Sequence, residues 1–285
     1  MVKIISDSTC DLSQALIEKY DITILPLHIL LGDKEYRDGA DITPEEIFAW
    51  SDENKTTPKT SAPSLVEAVE CLRSYVEAKT EVICFSISAS MSTSGNVMRL
   101  AAEELEAGNL VTVIDSANLS TGIGHLVIEA ALMAQEGKDA QTIAQTIEEL
   151  KPRVRASFVV DTLTYLYRGG RCSAVAAMAG GVLKLHPKIV VENGAMDATK
   201  KYRGKLDNVI LSYTKDMEEA LKAAKPDRVF ITHSGCDKAT VDKVREYLKG
   251  LNHFNEIIET RAGGVISSHC GPGTLGVLFI AQSIM

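Results

Sequence analysis

Short apolar runs separated by polar, hydroxyl-rich segments set the rhythm of the first half of this chain. Residues 2–5, 81–85 and 110–114 are nearly continuous apolar runs of strand length, the pattern of strands buried on both faces. Residues 15–20, 96–106, 126–135 and 143–150 read as helices. The segment that starts at Leu65 carries Leu65, Val66, Val69, Leu72 and Val76 at helical spacing. Strands that run into polar loops and then into helices predict a parallel α/β sheet, and such sheets bind ligands beyond the carboxyl ends of their strands. The polar loops after Ile5, before Leu65 and after Phe85 are placed to lie along that edge.

Capping and turn chemistry sharpens the boundaries. Thr43-Pro44-Glu45-Glu46 combines an N-cap threonine, a proline at the first helical position and a glutamate at the third. Ser64-Leu65-Val66-Glu67 is a second capping box. Pro26 interrupts the strand-like stretch 22–31, which predicts an edge or a bend there. Gly32-Asp33-Lys34 then turns the chain into Glu35-Tyr36-Arg37. The character changes near Lys151-Pro152. Beyond it, 157–160, 228–232 and 257–260 read as strands, and 206–224 and 239–248 as helices. Asn193-Gly194 between 188–191 and 195–199 is a strong short hairpin signal. Residues 174–185 read as a helix of small residues, which lets another element or an apolar ligand come close. Residues 277–280 form a last strand or short helix. The pattern predicts two domains, an N-terminal parallel α/β domain over 1–155 and a C-terminal α+β domain over 156–285.

Composition narrows the function classes. The 285 residues are 45% hydrophobic and 24% charged, with mean hydropathy +0.03, as in ordinary globular proteins. Aromatics make up 5%, so the core must be mostly aliphatic. A net charge of −8 argues against general affinity for nucleic acid. Cys10, Cys71, Cys84, Cys172, Cys236 and Cys270 are scattered without a CxxC pair, which suggests neither a disulfide framework nor a zinc knuckle. No signal peptide precedes the first strand and no apolar run reaches membrane-spanning length, so a cytoplasmic location is expected, with membrane contact at most transient. No cofactor or metal is expected.

Candidate chemistry concentrates in a few stretches. Gly263-Gly264-Val265-Ile266-Ser267-Ser268-His269-Cys270-Gly271-Pro272-Gly273-Thr274 reads as a ligand-facing loop, with His269 its one group able to titrate near neutral pH. The serines between Ser86 and Ser94 offer a nucleophile, hydrogen-bond donors or a helix cap by Ser92 or Ser94. The Gly-x-Ser-x-Gly elbow of many serine nucleophiles is missing. Arg168-Gly169-Gly170-Arg171 and Lys200-Lys201-Tyr202-Arg203-Gly204-Lys205 are the main basic features, suited to phosphate, to an acidic partner, or to a helix end and a solvated hairpin. Gly122-Ile123-Gly124 lacks the third glycine of a dinucleotide loop, and Lys184 and Lys188 have no phosphate-loop context.

Taken together, these stretches resemble the DegV family. Ser6-Asp7-Ser8-Thr9-Cys10-Asp11-Leu12 resembles its first strand and loop, Thr60-Ser61-Ala62-Pro63-Ser64 its Thr-Ser-Gln-Pro-Ser loop, and Ser88-Ala89-Ser90-Met91-Ser92 its Ser-Ser-Gly-Leu-Ser segment. Arg168-Gly169-Gly170-Arg171 is similar to its Arg-Gly-Gly-Arg, and His269-Cys270-Gly271-Pro272-Gly273 to its His-x-Gly-Pro-Gly signature. The sequence departs from that pattern at Ala62, at Ala89 and at Thr93-Ser94-Gly95-Asn96. The resemblance implies a two-domain fold enclosing an acyl chain, and a lipid-carrier role without catalysis of its own. A separate fatty acid kinase would phosphorylate the bound carboxylate. It implies that Thr60, Ser92 and His269, with Ser61 as a further candidate, hold the carboxylate, and that Arg171 and Arg203 face the partner or the acyl-phosphate. The contrasting expectation is a serine hydrolase using Ser92 with His269 as base and Asp7 or Asp115 as orienting carboxylate. A small-molecule sensor is a third class.

Overall fold

A computed structural model describes residues 1–172 and 185–283. Four parallel strands form the first sheet: β1 (Lys3–Asp7), β2 (Ile22–Leu25), β6 (Val82–Ser86) and β7 (Val111–Asp115), in the order β2-β1-β6-β7. Pro26 ends β2, and the chain then leaves this sheet. It enters a small antiparallel one made of β3 (His28–Leu31), β4 (Lys34–Arg37) and β5 (Lys59–Ser61), ordered β4-β3-β5. The polar stretch before Leu65 thus contains a strand, and Thr60 is fixed in it opposite Ile29. The second large sheet holds β8 (Val154–Val159), β9 (Leu185–Glu192), β10 (Ala195–Arg203), β11 (Arg228–Ser234), β12 (Glu256–Arg261) and β13 (Thr274–Ile280). Its order is β10-β9-β8-β13-β11-β12, antiparallel except for β11 with β12.

Local chemistry accounts for many boundaries. Helix α1 covers Gln14–Lys19. Both capping boxes form: Thr43 and Glu46 close the start of α2 (Pro44–Asn54), and Ser64 and Glu67 that of α3 (Leu65–Glu77). Asn193 and Gly194 take φ of 50° and 80°, the turn conformation that suits the twist of β9 and β10. The helix expected over 206–224 is broken into α8 (Leu206–Lys215) and α9 (Glu218–Lys222), with α7 (Thr164–Gly169) preceding them in the chain. Asp216 sits at the break, where its carboxylate is held by Lys200 and Tyr202 of β10. The last apolar run is a strand at the centre of the sheet, between β8 and β11. The small-residue helix expected over 174–185 lies outside the described residues, except Leu185, which opens β9.

Helices α5 (Thr121–Gln135) and α6 (Ala140–Leu150) fill the space between the two large sheets. Helix α5 touches β1 and β6 on one side and β8 and β13 on the other. One aliphatic core therefore runs from Ile4 and Phe85 through Ile123, Leu126 and Ile143 to Phe158, Ile189 and Leu278. Helices α3 and α4 (Ser94–Glu104) cover the outer face of the first sheet, and α8 with α10 (Lys238–Gly250) covers that of the second. The expected division at 155/156 falls inside β8. Gly124 lets α5 approach Cys10 and Leu12; a Cβ there would stand 3.0 Å from the Cys10 carbonyl oxygen. Gly122-Ile123-Gly124 is thus a packing contact. Within α5, His125 Nε2 lies 3.0 Å from the carbonyl oxygen of Leu278, and burial lowers its pKa to about 4. Among the described residues Cys10, Cys71, Cys84, Cys236 and Cys270 form no disulfide. Among the described residues, no helix is long and apolar enough to cross a membrane.

The segment read as a glycine-rich loop is mostly a helix, α11 (Gly264–Cys270), and only Gly271-Pro272-Gly273 connects it to β13. Ser268 Oγ donates to the Gly264 carbonyl one turn back at 2.7 Å, so this serine does not interrupt the helix. Gly271 ends it with φ 76° and ψ 173°, a region almost closed to other residues. A Cβ on Gly271 would come within 2.6 Å of the Tyr165 ring. Gly271→Ala should lower unfolding stability by about 2 kcal/mol or more in urea titrations, combining backbone strain with overpacking. Gly137→Ala, also at positive φ (79°) but in open space, should cost about 1 kcal/mol. Equal losses at the two sites would show that the Tyr165 contact is unimportant.

Candidate functional site

Three elements meet at the carboxyl edge of the first sheet. Strand β5 brings Thr60 and Ser61, the loop after β6 brings Ala89 to Thr93, and α11 brings His269. They enclose a cavity of about 430 Å³. Its polar end carries Thr60, Ser61, Ser92, Thr93, Arg171 and His269, while Leu27, Ile87, Met91, Leu119, Met196, Val265 and Ile266 supply apolar wall. Such a cavity, apolar with a few convergent polar groups, is the usual form of a small-molecule site.

His269 is the centre of the polar end. Its Nε2 lies 2.7 Å from Thr60 Oγ1, a hydrogen bond between residues 209 apart in the chain. Its Nδ1 is shielded from solvent and has no partner among the described residues. Gly169 packs against that nitrogen so closely that a Cβ would collide with it. Burial, and secondarily the positive Arg171, push the imidazole pKa down to about 4. The ring is neutral at physiological pH and acts through hydrogen bonds.

The other expected residues fall into place unevenly. Ser61 is exposed beside Thr60 and still borders the cavity. Ser92 borders it too, with its Oγ accepting from the Ser94 N–H at 3.2 Å just before α4. Arg171 lines the cavity, and its guanidinium donates to the Gly169 carbonyl at 2.6 Å. Arg203 is exposed at the end of β10, outside the cavity lining. Ser88 and Ser90 both donate to the Gly194 carbonyl at the tip of the β9–β10 hairpin, Ser88 at 2.6 Å. These two hydroxyls join the first sheet's loop to the second sheet.

The arrangement does not assemble a hydrolase triad. Ser92 has no hydrogen bond to His269 among the described residues. Asp7 is occupied by Thr9 and the Ile87 N–H, and Asp115 by the Ala117 and Ala89 N–H groups. A histidine with a pKa near 4 is also a feeble base at neutral pH. No group of three or more metal-ligating side chains forms among the described residues.

Sequence reasoning missed the groups that position α11. Asp38 Oδ1 accepts the N–H of Gly264 at 2.7 Å and of Val265 at 3.3 Å, and its Oδ2 accepts from Ser8 Oγ at 2.8 Å. Asp11 Oδ1 accepts the Gly263 N–H at 2.8 Å, and its Oδ2 accepts from Ser120 Oγ at 2.5 Å. Both carboxyls are buried and crowd Gly263 from two sides; a Cβ there would lie 3.2 Å from Asp11 and 3.3 Å from Asp38. Burial raises Asp11 well above the ordinary carboxyl range, and Asp38 and Asp7 raise it further. Burial raises Asp38 to about 6, against the lowering effect of its three hydrogen bonds. The polar loop Ser6-Asp7-Ser8-Thr9-Cys10-Asp11 after the first strand was the available signal for Asp11; Asp38 had none.

Comparison with known proteins gives a consistent family. The model described as "Uncharacterised protein, DegV family" matches residues 1–282. A DegV domain-containing protein of Caldanaerobacter subterraneus subsp. tengcongensis is 32% identical over 280 residues, covering 98% of both chains. The solved structure described as fatty acid binding of a DegV family protein from Thermus thermophilus is similar with TM-score 0.88 and 31% identity, covering 99% of both chains. A fat acid (stearic acid)-binding protein from Eubacterium ventriosum is similar with TM-score 0.87 and 30% identity, again over 99% of both chains.

The raised Asp38 pKa has a signed consequence for stability. A carboxyl whose folded pKa is raised stabilises the fold below its unfolded pKa, and that contribution is lost as pH rises through the folded value. Relative to Asp38→Asn, the wild-type protein should lose on the order of 3 kcal/mol between about pH 4 and about pH 7. Urea titrations of both proteins across that range measure it. A difference that does not change with pH would mean that Asp38 titrates as an ordinary carboxyl.

Proposed function

This chain belongs to the DegV family, and from that premise we propose that it is a fatty-acid carrier. In this reading it holds the acyl chain in the cavity behind α11 and presents the carboxylate to a separate kinase, which makes the acyl-phosphate. The observation that carries the reading is the Thr60–His269 pair, 2.7 Å apart, at the polar end of a cavity whose remaining wall is largely aliphatic. A buried carboxylate needs several hydrogen bonds or it takes up a proton. Thr60, Ser92 and His269, with Ser61 at the rim, offer neutral donors for it. Each buried CH₂ of a tail contributes roughly 0.8 kcal/mol, so a long chain gains on the order of 10 kcal/mol before the costs of association. The descriptions of the Thermus and Eubacterium proteins as fatty acid binding support the ligand class.

The catalytic step belongs to the partner in this proposal. Arg171 at the cavity and Arg203 on β10 are exposed cations without a carboxylate partner among the described residues. They are suited to an acidic partner surface or to the phosphate of the product. The ligand lies where the proposed domains 1–155 and 156–285 meet, and the protein works in the cytoplasm with at most transient membrane contact.

Native mass spectrometry of the purified chain should show a copurified fatty acid, and the delipidated chain should rebind added long-chain acids. Thr60→Val and His269→Ala should each weaken retention by roughly tenfold or more, the loss expected for a hydrogen bond to a charged group. A delipidated chain that takes up no long-chain acid sinks the carrier reading. Ester hydrolysis abolished by Ser92→Ala would favour the hydrolase instead.

A further inference from the structure

The two glycines of Arg168-Gly169-Gly170-Arg171 end α7 beside the polar end of the cavity. Gly170 takes φ 66° and ψ 14°, the left-handed cap that glycine adopts without strain. Gly169 lies inside the helix, so backbone freedom does not account for it. Its neighbour does: a Cβ at 169 would collide with His269 Nδ1. Tyr165, four residues earlier and so on the same face of α7, meets α11 in a similar way, its ring 2.6 Å from where a Cβ on Gly271 would stand. The two contacts set α7 firmly against the end of α11 that carries His269.

The direction in which a Cβ would leave Gly169 is that of one of its two Cα hydrogens, and this hydrogen points at Nδ1. A lone pair on the nitrogen accommodates a C–H group, whereas an Nδ1–H would run into it. Nδ1 is shielded from solvent and has no hydrogen-bond partner among the described residues. Protein interiors tolerate a bare acceptor more readily than a bare N–H. The other ring nitrogen, Nε2, lies 2.7 Å from Thr60 Oγ1. If Nε2 carried the lone pair, the Thr60 proton would be spent on the ring, and Oγ1 would turn only lone pairs toward an anion. If Nε2 carries the hydrogen, it donates to Thr60 and leaves the hydroxyl proton free.

Resting on the fatty-acid reading, we propose that Gly169 is a positioning residue for the carboxylate: by standing against Nδ1 it fixes His269 as the Nε2–H tautomer, which frees the Thr60 hydroxyl proton for the ligand. Gly169 seats the ring, the ring donates to Thr60, and Thr60 donates to the head group. Arg171 donates to the Gly169 carbonyl at 2.6 Å, so the turn that seats the ring also holds the cation at the cavity.

The tautomer is read directly by long-range ¹H–¹⁵N NMR at neutral pH on the delipidated full chain, labelled with ¹⁵N at its 6 histidines, with the His269→Gln spectrum identifying the signal. His269 should show the Nε2–H pattern. Gly169→Ala should change that signal and lower retention of stearic acid, measured by native mass spectrometry, by roughly tenfold. Gly170→Ala, which strains the backbone but meets nothing within 4 Å, should leave retention within about twofold. In the His269→Ala background, where the ring is gone, Gly169→Ala should add no further loss. Thermal melting identifies which variants are folded, and the wild-type tautomer decides the matter if Gly169→Ala is not. An Nδ1–H pattern for His269 overturns the inference, and so does an equal loss from Gly169→Ala with and without the imidazole. A wild-type chain that takes up no stearic acid counts against the carrier reading instead.

Discussion

The site depends on how the N-terminus of α11 is held. A helix of seven residues has little stability of its own, because nucleation costs more than so few hydrogen bonds return. Its first N–H groups find their acceptors in Asp38 and Asp11, 226 and 252 residues away in the chain from Gly264 and Gly263. Val265 then anchors the helix among Leu27, Ile29 and Ile47. A carboxylate at this end, where it is ionised, also complements the helix dipole. Burial, however, opposes the ionisation of both carboxyls, and Asp38 raises Asp11 further. The first-half loops therefore decide where His269 stands, and part of the folding free energy is spent on keeping carboxyl groups there.

That placement explains why His269 is neutral. The helix is pressed against Gly169, β5 and the turn after β1, so the ring loses water without gaining a carboxylate. Arg171 nearby makes a charged imidazole still less favourable. Neutral donors beside one exposed cation attract an anion without neutralising it completely. A head group held in this way keeps its charge available to whatever reacts with it. A lysine or arginine buried in direct contact would bind the anion more tightly and hide it. In the proposed carrier, this moderate grip is what a carboxylate destined for transfer requires.

Much of the fold was legible because its signals are local. The apolar runs of β1, β6 and β7, the capping boxes at Thr43 and Ser64, and Asn193-Gly194 all act within a few residues. The order of motifs along the chain was enough to indicate the family. What could not be read was long-range. Nothing near Asp38 announces a helix end more than two hundred residues on, and Gly263-Gly264 looks like a loop until its caps are known. The break between α8 and α9 depends on Tyr202 and Lys200 reaching Asp216 from another element. Thr60 and His269 could be named from motifs, but their direct hydrogen bond required the tertiary structure.

The serine loop shows the same division of labour at finer scale. Its hydroxyls suggested a nucleophile, hydrogen-bond donors or a helix cap, yet Ser88 and Ser90 both serve the Gly194 carbonyl. A Cβ on Gly194 would come 2.7 Å from Ser88 Oγ, so the glycine answers to this contact as well as to its turn. The hairpin thereby pinned carries Met196 into the cavity wall, and Ser92, two residues beyond Ser90, remains at the polar end. The first sheet's loop is therefore shaped by the second sheet, just as the second half's α11 is shaped by acids of the first. Neither half alone holds the cavity's polar end in this form. Its geometry is a property of the join, and a substitution at Gly194 or Asp38 can alter the site without touching a ligand.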